Sequence, residues 1–180
     1  MYNDKKVLQI ISYLLSLNDN KMEKLKLMKE LYLIDRMAID EKHQSISEDT
    51  YFSLKHGPVL SNTLNIINEI PEDNDWAEYL KIEEPYNIVS IKPFDEGRLS
   101  KNDMKYIKTI SDKYKNYSSS QLRNYTHTLP EWKEPHGSNR KIYFSDIMKA
   151  LGKTEQQISD AKKEYGSLNS LYTAIGAKWI

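Results

Sequence analysis

The sequence predicts a mainly α-helical protein, a compact multi-helix domain with a minimal two-stranded β element. Three observations predict it. Apolar residues recur at helical spacing through successive segments, short polar or proline-marked breaks separate those segments, and only residues 87–93 alternate as a strand does. A chain of 180 residues, 39% of them hydrophobic, suits one main domain with a sizeable core.

Val7, Ile10, Ile11, Leu14 and Leu15 form the stripe of a first helix, which Asn3 or Asp4 can cap through a side-chain oxygen. Asn18, Asp19 and Asn20 break it. A second helix runs from about Met22 to about Lys42, with Leu25, Met28, Leu31, Tyr32 and Ile39 toward the core. The short break makes the two an antiparallel pair. Asp35 lies close to the second stripe, where an acid is costly unless paired. His127 is one plausible partner, and a place at the rim of the stripe is the alternative.

Gly57 and Pro58 signal a turn, and Val59, Thr63, Leu64, Ile66, Ile67 and Ile70 a third helix stopped by Pro71. The acidic stretch 69–84 reads as an irregular connection. Residues 87–93 read as a strand between Pro85 and Pro93, with Tyr51–Leu54 the plausible partner. Ser100, with Asp103 three residues on, opens a helix whose core face is Met104, Ile107, Ile110, Ser111 and Tyr114. Ser118 or Ser119 caps a short helix over 121–126, ended by Pro130, Glu131 and Trp132. Residues 135–140 are turn-like, and 143–151, 154–165 and 168–175 read as three short helices.

Composition narrows the function. Twenty-six basic and twenty-six acidic residues cancel, which argues against a generic nucleic-acid binder. The halves differ, however: residues 1–90 carry ten Lys/Arg and sixteen Asp/Glu, residues 91–180 the reverse. DNA binding by the basic half is possible but not favoured. The absence of cysteine excludes disulfides and thiolate chemistry. No apolar run is long enough to span a bilayer and the start lacks signal-peptide features, so a soluble, cytoplasmic protein with no membrane partner is expected. His43, His56, His127 and His136 fall at no metal-ligand spacing, and neither a Gly-x-Ser-x-Gly elbow nor a glycine-rich phosphate loop occurs. No cofactor and no enzymatic activity are expected. Thirteen tyrosines, several in polar surroundings, favour an interaction module.

Three stretches carry a resemblance. Leu25 to Asp35 (LKLMKELYLID) has a leucine-rich turn leading to a Leu-Tyr pair; Tyr51 to Val59 (YFSLKHGPV) ends in Gly-Pro-Val; Leu122 to His127 (LRNYTH) is followed by Pro130-Glu131-Trp132. In this order and spacing they resemble the SocA-like antitoxin family with its Panacea domain. The resemblance implies a Panacea domain over residues 1–135, with 136–180 a helical extension packed on it. It implies an antitoxin of a bacterial or phage toxin–antitoxin pair that neutralises a co-encoded protein toxin by direct binding. The alternative is a proteolytic adaptor that delivers a toxin or other substrate to an AAA+ protease. The chain departs from the family pattern at residues 40–44, where a glycine is often found, so a changed loop is expected there.

The signature residues Tyr32, Asp35, Tyr51, Gly57, Pro58, Val59, His127 and Trp132 make sense mainly as architecture. Gly57 permits a positive φ or a close approach, Pro58 would fix the start of the third helix, and His127 with Trp132 would clamp the short helix. Toxin contact is expected at Asp75, Trp76, Glu78 and Tyr79. Trp76 lies in a stretch too polar for a regular core stripe, and an exposed ring among charges is a common hot spot. The alternative is that Trp76 folds back over the end of the third helix.

Overall fold

The computed structural model describes residues 2–72, 74–95 and 97–174. Among them the chain forms eight helices and six strands, the strands arranged as two three-stranded antiparallel sheets. The expectation of a mainly α protein with a two-stranded element is therefore corrected: this is a mixed α/β fold. Every strand is three or four residues long. Strands that short show almost no alternation, and their pairing partners come from distant parts of the chain.

Helix α1 (Asp4–Ser16) is capped by Asn3, whose side chain accepts from the Lys6 N–H at 3.0 Å, and its apolar stripe is buried. Helix α2 (Lys24–Lys42) is the axis of the molecule. It is buried without a break from Leu27 to Asp35, so it is covered on all sides where a one-faced stripe was expected. Each large aliphatic residue so enclosed contributes roughly 2 kcal/mol of transfer free energy. At its end His43 takes the left-handed conformation (φ 55°), and its N–H reaches the Ile39 carbonyl at 3.0 Å. That position is where a helix usually places glycine, so histidine closes the helix in its stead.

The first sheet joins β1 (Lys21–Glu23), β4 (Leu80–Glu83) and β5 (Asn87–Ser90) in the order β1-β5-β4, with Ile88 opposite both Met22 and Ile82. The second joins β2 (Tyr51–Leu54), β3 (Gly57–Leu60) and β6 (Arg140–Ile142) in the order β3-β2-β6, with Phe52 opposite both Val59 and Lys141. The predicted strand at 87–93 is thus real but shorter, and it does not pair with Tyr51–Leu54. Gly57 and Pro58 belong to β3, and helix α3 (Ser61–Asn68) starts later than expected. Pro58 is tolerated because β3 is an edge strand, where a missing N–H costs no ladder bond.

The acidic stretch is not irregular: it holds α4 (Asp75–Tyr79) and β4. Ser100 and Asp103 form the expected capping box of α5 (Lys101–Tyr114), and Ser118 with Gln121 does the same for α6 (Ser119–His127). Helices α5 and α6 pack on α2. Beyond Pro135, β6 pairs with β2, α7 (Phe144–Ala150) touches α2, and α8 (Glu155–Ala174) follows. The helices expected at 154–165 and 168–175 form one; Gly166 lies within it, since a lone glycine weakens a helix without ending it. Ile175 lies outside the described residues.

Candidate functional site

The signature residues converge on the β2–β3 hairpin and the helices around it. Gly57 has φ 96°, and a Cβ there would lie 2.9 Å from Thr126 Oγ1 and 3.2 Å from both His127 Cδ2 and Lys29 Cε. Only glycine fits the conformation and the space together. The next residue, Pro58, accepts a hydrogen bond at its carbonyl from Lys29 Nζ, 2.8 Å away. On the other strand the Trp132 indole N–H donates to the Leu54 carbonyl at 3.3 Å, and His127 stacks on that indole with centroids 4.0 Å apart and planes 4° from parallel. The hairpin is therefore held by α2 through Lys29, by α6 through Thr126 and His127, and by Trp132.

Asp35 lies at the other end of β2, beside Tyr51. It is fully enclosed and accepts from the Ile46 and Ser47 N–H groups, each at 3.0 Å, from the Ser47 hydroxyl, and from the Tyr51 hydroxyl at 2.9 Å. Burial raises its pKa, while the four donors pull the other way. Its partners are thus the loop after α2 and β2; His127 is stacked elsewhere. Tyr51 packs edge-on against Tyr32 at 5.7 Å, and the Tyr32 hydroxyl donates to Glu131 Oε1 at 3.0 Å. Arg36 Nε donates to the same oxygen at 2.6 Å. Val59 is buried. All eight signature residues thus lie around the β2–β3 hairpin, six of them buried and His127 and Trp132 half-buried.

Four polar residues of this region escaped sequence reasoning: Lys29, Glu30, Asp49 and Glu131. Lys29 is completely buried, and burial, aided by the nearby Arg123 charge, lowers its pKa to about 7. Glu30 is equally buried, its oxygens lack hydrogen-bond partners among the described residues, and burial raises its pKa to about 7 against the pull of Lys26. Burial also lowers the pKa of His127, with the cations Lys29 and Arg123 adding to the effect. Asp49 accepts from the N–H groups of Asn62 and Thr63 at 3.0 and 2.9 Å, capping α3 from outside the helix. Only Glu131 had a signal, its place between Pro130 and Trp132. Lys29 and Glu30 sit between apolar residues of α2, a pattern that an amphipathic reading assigns to the exposed face.

The predicted toxin-contact residues are placed differently from one another. Trp76 is 0% exposed and part of the core. The expectation of an exposed ring is corrected: α4 is short enough for its single large apolar residue to point inward whatever the charge of its neighbours. Asp75 and Glu78 are exposed but ion-paired, with Lys5 at 3.4 Å and Lys92 at 2.6 Å, and Lys92 also lies 4.8 Å from the ring centre of half-buried Tyr79.

Beside the hairpin a groove of about 370 Å³ is lined by Leu25, Met28, Leu54, Val59, Leu64 and Tyr86, with Lys29 and His56 also bordering it. Among the described residues no three His, Cys, Asp or Glu side chains gather as metal ligands, and no helix is long and apolar enough to cross a membrane.

Comparison with curated proteins and with solved structures finds no match. The family model described as "Antitoxin SocA-like, Panacea domain" matches residues 27–133, from the first turn of α2, where its buried run begins, to the residue after Trp132. That span is more than half of the chain and contains every signature residue named above. The chain belongs to the SocA-like antitoxin family with the Panacea domain.

Proposed function

We propose that this protein is the cytoplasmic antitoxin of a bacterial or phage toxin–antitoxin pair, and that it neutralises a co-encoded protein toxin by direct, non-enzymatic binding. Family membership over residues 27–133 is the observation that carries the reading. The geometry supports it in a specific way. The polar groups most able to do chemistry, Lys29, Asp35, His127 and Glu131, are engaged in holding the hairpin, the loop after α2 and the segment around Trp132 in place. They build a rigid scaffold, and rigid scaffolds bind with little ordering cost.

The test is co-expression with the gene beside this one. The neighbour's product alone should arrest growth, this protein should restore it, and the two should copurify at fixed stoichiometry with the toxin's half-life unchanged. A harmless neighbour, or toxicity that persists beside this protein, sinks the reading. Rescue accompanied by a shortened toxin half-life would instead support delivery to a protease.

A further inference from the structure

A second cleft, of about 510 Å³, opens at β6, the edge strand of its sheet, between Ser53, Glu131, Lys133, Arg140, Lys141 and Tyr143. Its charges are unevenly engaged. Glu131 is committed to Tyr32 and Arg36 on one oxygen, and Asp146, also on the cleft, accepts from the Tyr143 N–H at 2.9 Å. By contrast Lys133, Arg140 and Lys141 are exposed and none forms an ion pair among the described residues. The Lys141 ammonium lies 5.5 Å from the ring centre of Tyr143, which is 58% exposed. Lys149, the fourth cation on the cleft, pairs with Glu155 at 2.9 Å, so the acids are used internally while three of the four cations are left for something outside.

We propose that this cleft docks an acidic segment of the partner protein, with carboxylates facing Lys133, Arg140 and Lys141 and the Tyr143 ring as the contact that excludes water. Unpaired like charges raise the free energy of the free protein and are relieved when opposite charge arrives, which favours fast, steered encounter. An exposed aromatic within such a ring of charge is the arrangement of an interface anchor. A nucleic-acid backbone fits less well. Its binding draws on a broad basic excess, and the whole chain carries no net charge. This inference rests on the antitoxin reading and names the chemistry of its partner.

The experiment measures association of the neighbouring gene's product with wild type, with K133E/R140E/K141E, with Lys133→Glu alone and with Tyr143→Ala, in low and in high salt, alongside a duplex DNA. Thermal melts come first; Lys133 lies outside the strand, so its single variant stands in if the triple variant melts early. Wild type should bind at least tenfold faster than the triple variant in low salt, with the gap closing in high salt, and at least threefold faster than Lys133→Glu. Tyr143→Ala should raise Kd at least tenfold through faster dissociation. Equal association rates for folded variants overturn the inference while leaving the antitoxin reading intact. DNA binding that the variants lose, with partner binding unchanged, also overturns it. No complex with wild type overturns both.

Discussion

The two β-hairpins, alike on paper, are used in opposite ways. Strands β2 and β3 pair over four residues around Lys55 and His56, and β4 and β5 pair over four residues around a three-residue turn. Yet β3 is buried along its whole length, while β4 buries Leu80 and leaves Lys81, Ile82 and Glu83 exposed. The first hairpin is surrounded by α2, α6 and β6; the second touches the core through Leu80 and Ile88 alone. The difference teaches that hydrogen-bonded pairing does not make a residue irreplaceable. Enclosure does, because an enclosed donor, acceptor or methylene has no water to fall back on.

The comparison can be broken first at Trp76, which anchors the exposed hairpin just ahead of β4. Trp76→Ala should cost about 4 kcal/mol in urea unfolding, the value for a large buried ring, and a loss under about 1 kcal/mol would return the ring to the surface. Next, Asp35→Ala should cost about 3 kcal/mol, because it leaves the Ile46 and Ser47 N–H groups and the Tyr51 hydroxyl without their acceptor. Gly57→Val should cost on the order of 2–3 kcal/mol, through both the positive φ and the contact with Thr126. Gly137 also has a positive φ but stands in open space, so Gly137→Val should cost less, and equal losses would remove the steric half of the argument.

A pH series sharpens the same contrast. Lys29 has a folded pKa near 7, below its ordinary 10.5, so the unfolded chain binds more protons between those values and stability rises with pH there. Glu30 has a folded pKa near 7, above its ordinary 4.5, so stability falls as pH rises from 4.5 to 7. Lys29→Met should therefore lose its advantage over wild type by about 2 kcal/mol between pH 7 and 9, and Glu30→Gln should gain a similar advantage between pH 5 and 7. Parallel stability curves would show that both side chains reach water. Smallest of all, Glu83→Ala on the exposed hairpin, which breaks only the 3.0 Å surface pair with Lys21, should shift stability by less than about 0.5 kcal/mol.

What could be read from the residues alone was local. The stripe of α1, the capping box at Ser100, a serine cap at residue 118 or 119, and the special role of Gly57 follow from spacing and side-chain chemistry within a few positions, and each stands as expected. The three signature stretches, in order, also sufficed for the family. The sheets were not legible, because β1 needs β5 and β2 needs β6, partners more than sixty and eighty residues away that no local pattern announces. Nor was the burial of Lys29, Glu30 and Trp76. Amphipathic reasoning assumes that a helix has one wet face, and α2 loses that face only when α5, α6 and β3 close around it. Sequence alone determined most of the helical segments, though not α4, and which family they compose; only the tertiary structure decided which charges are enclosed and which stay in water.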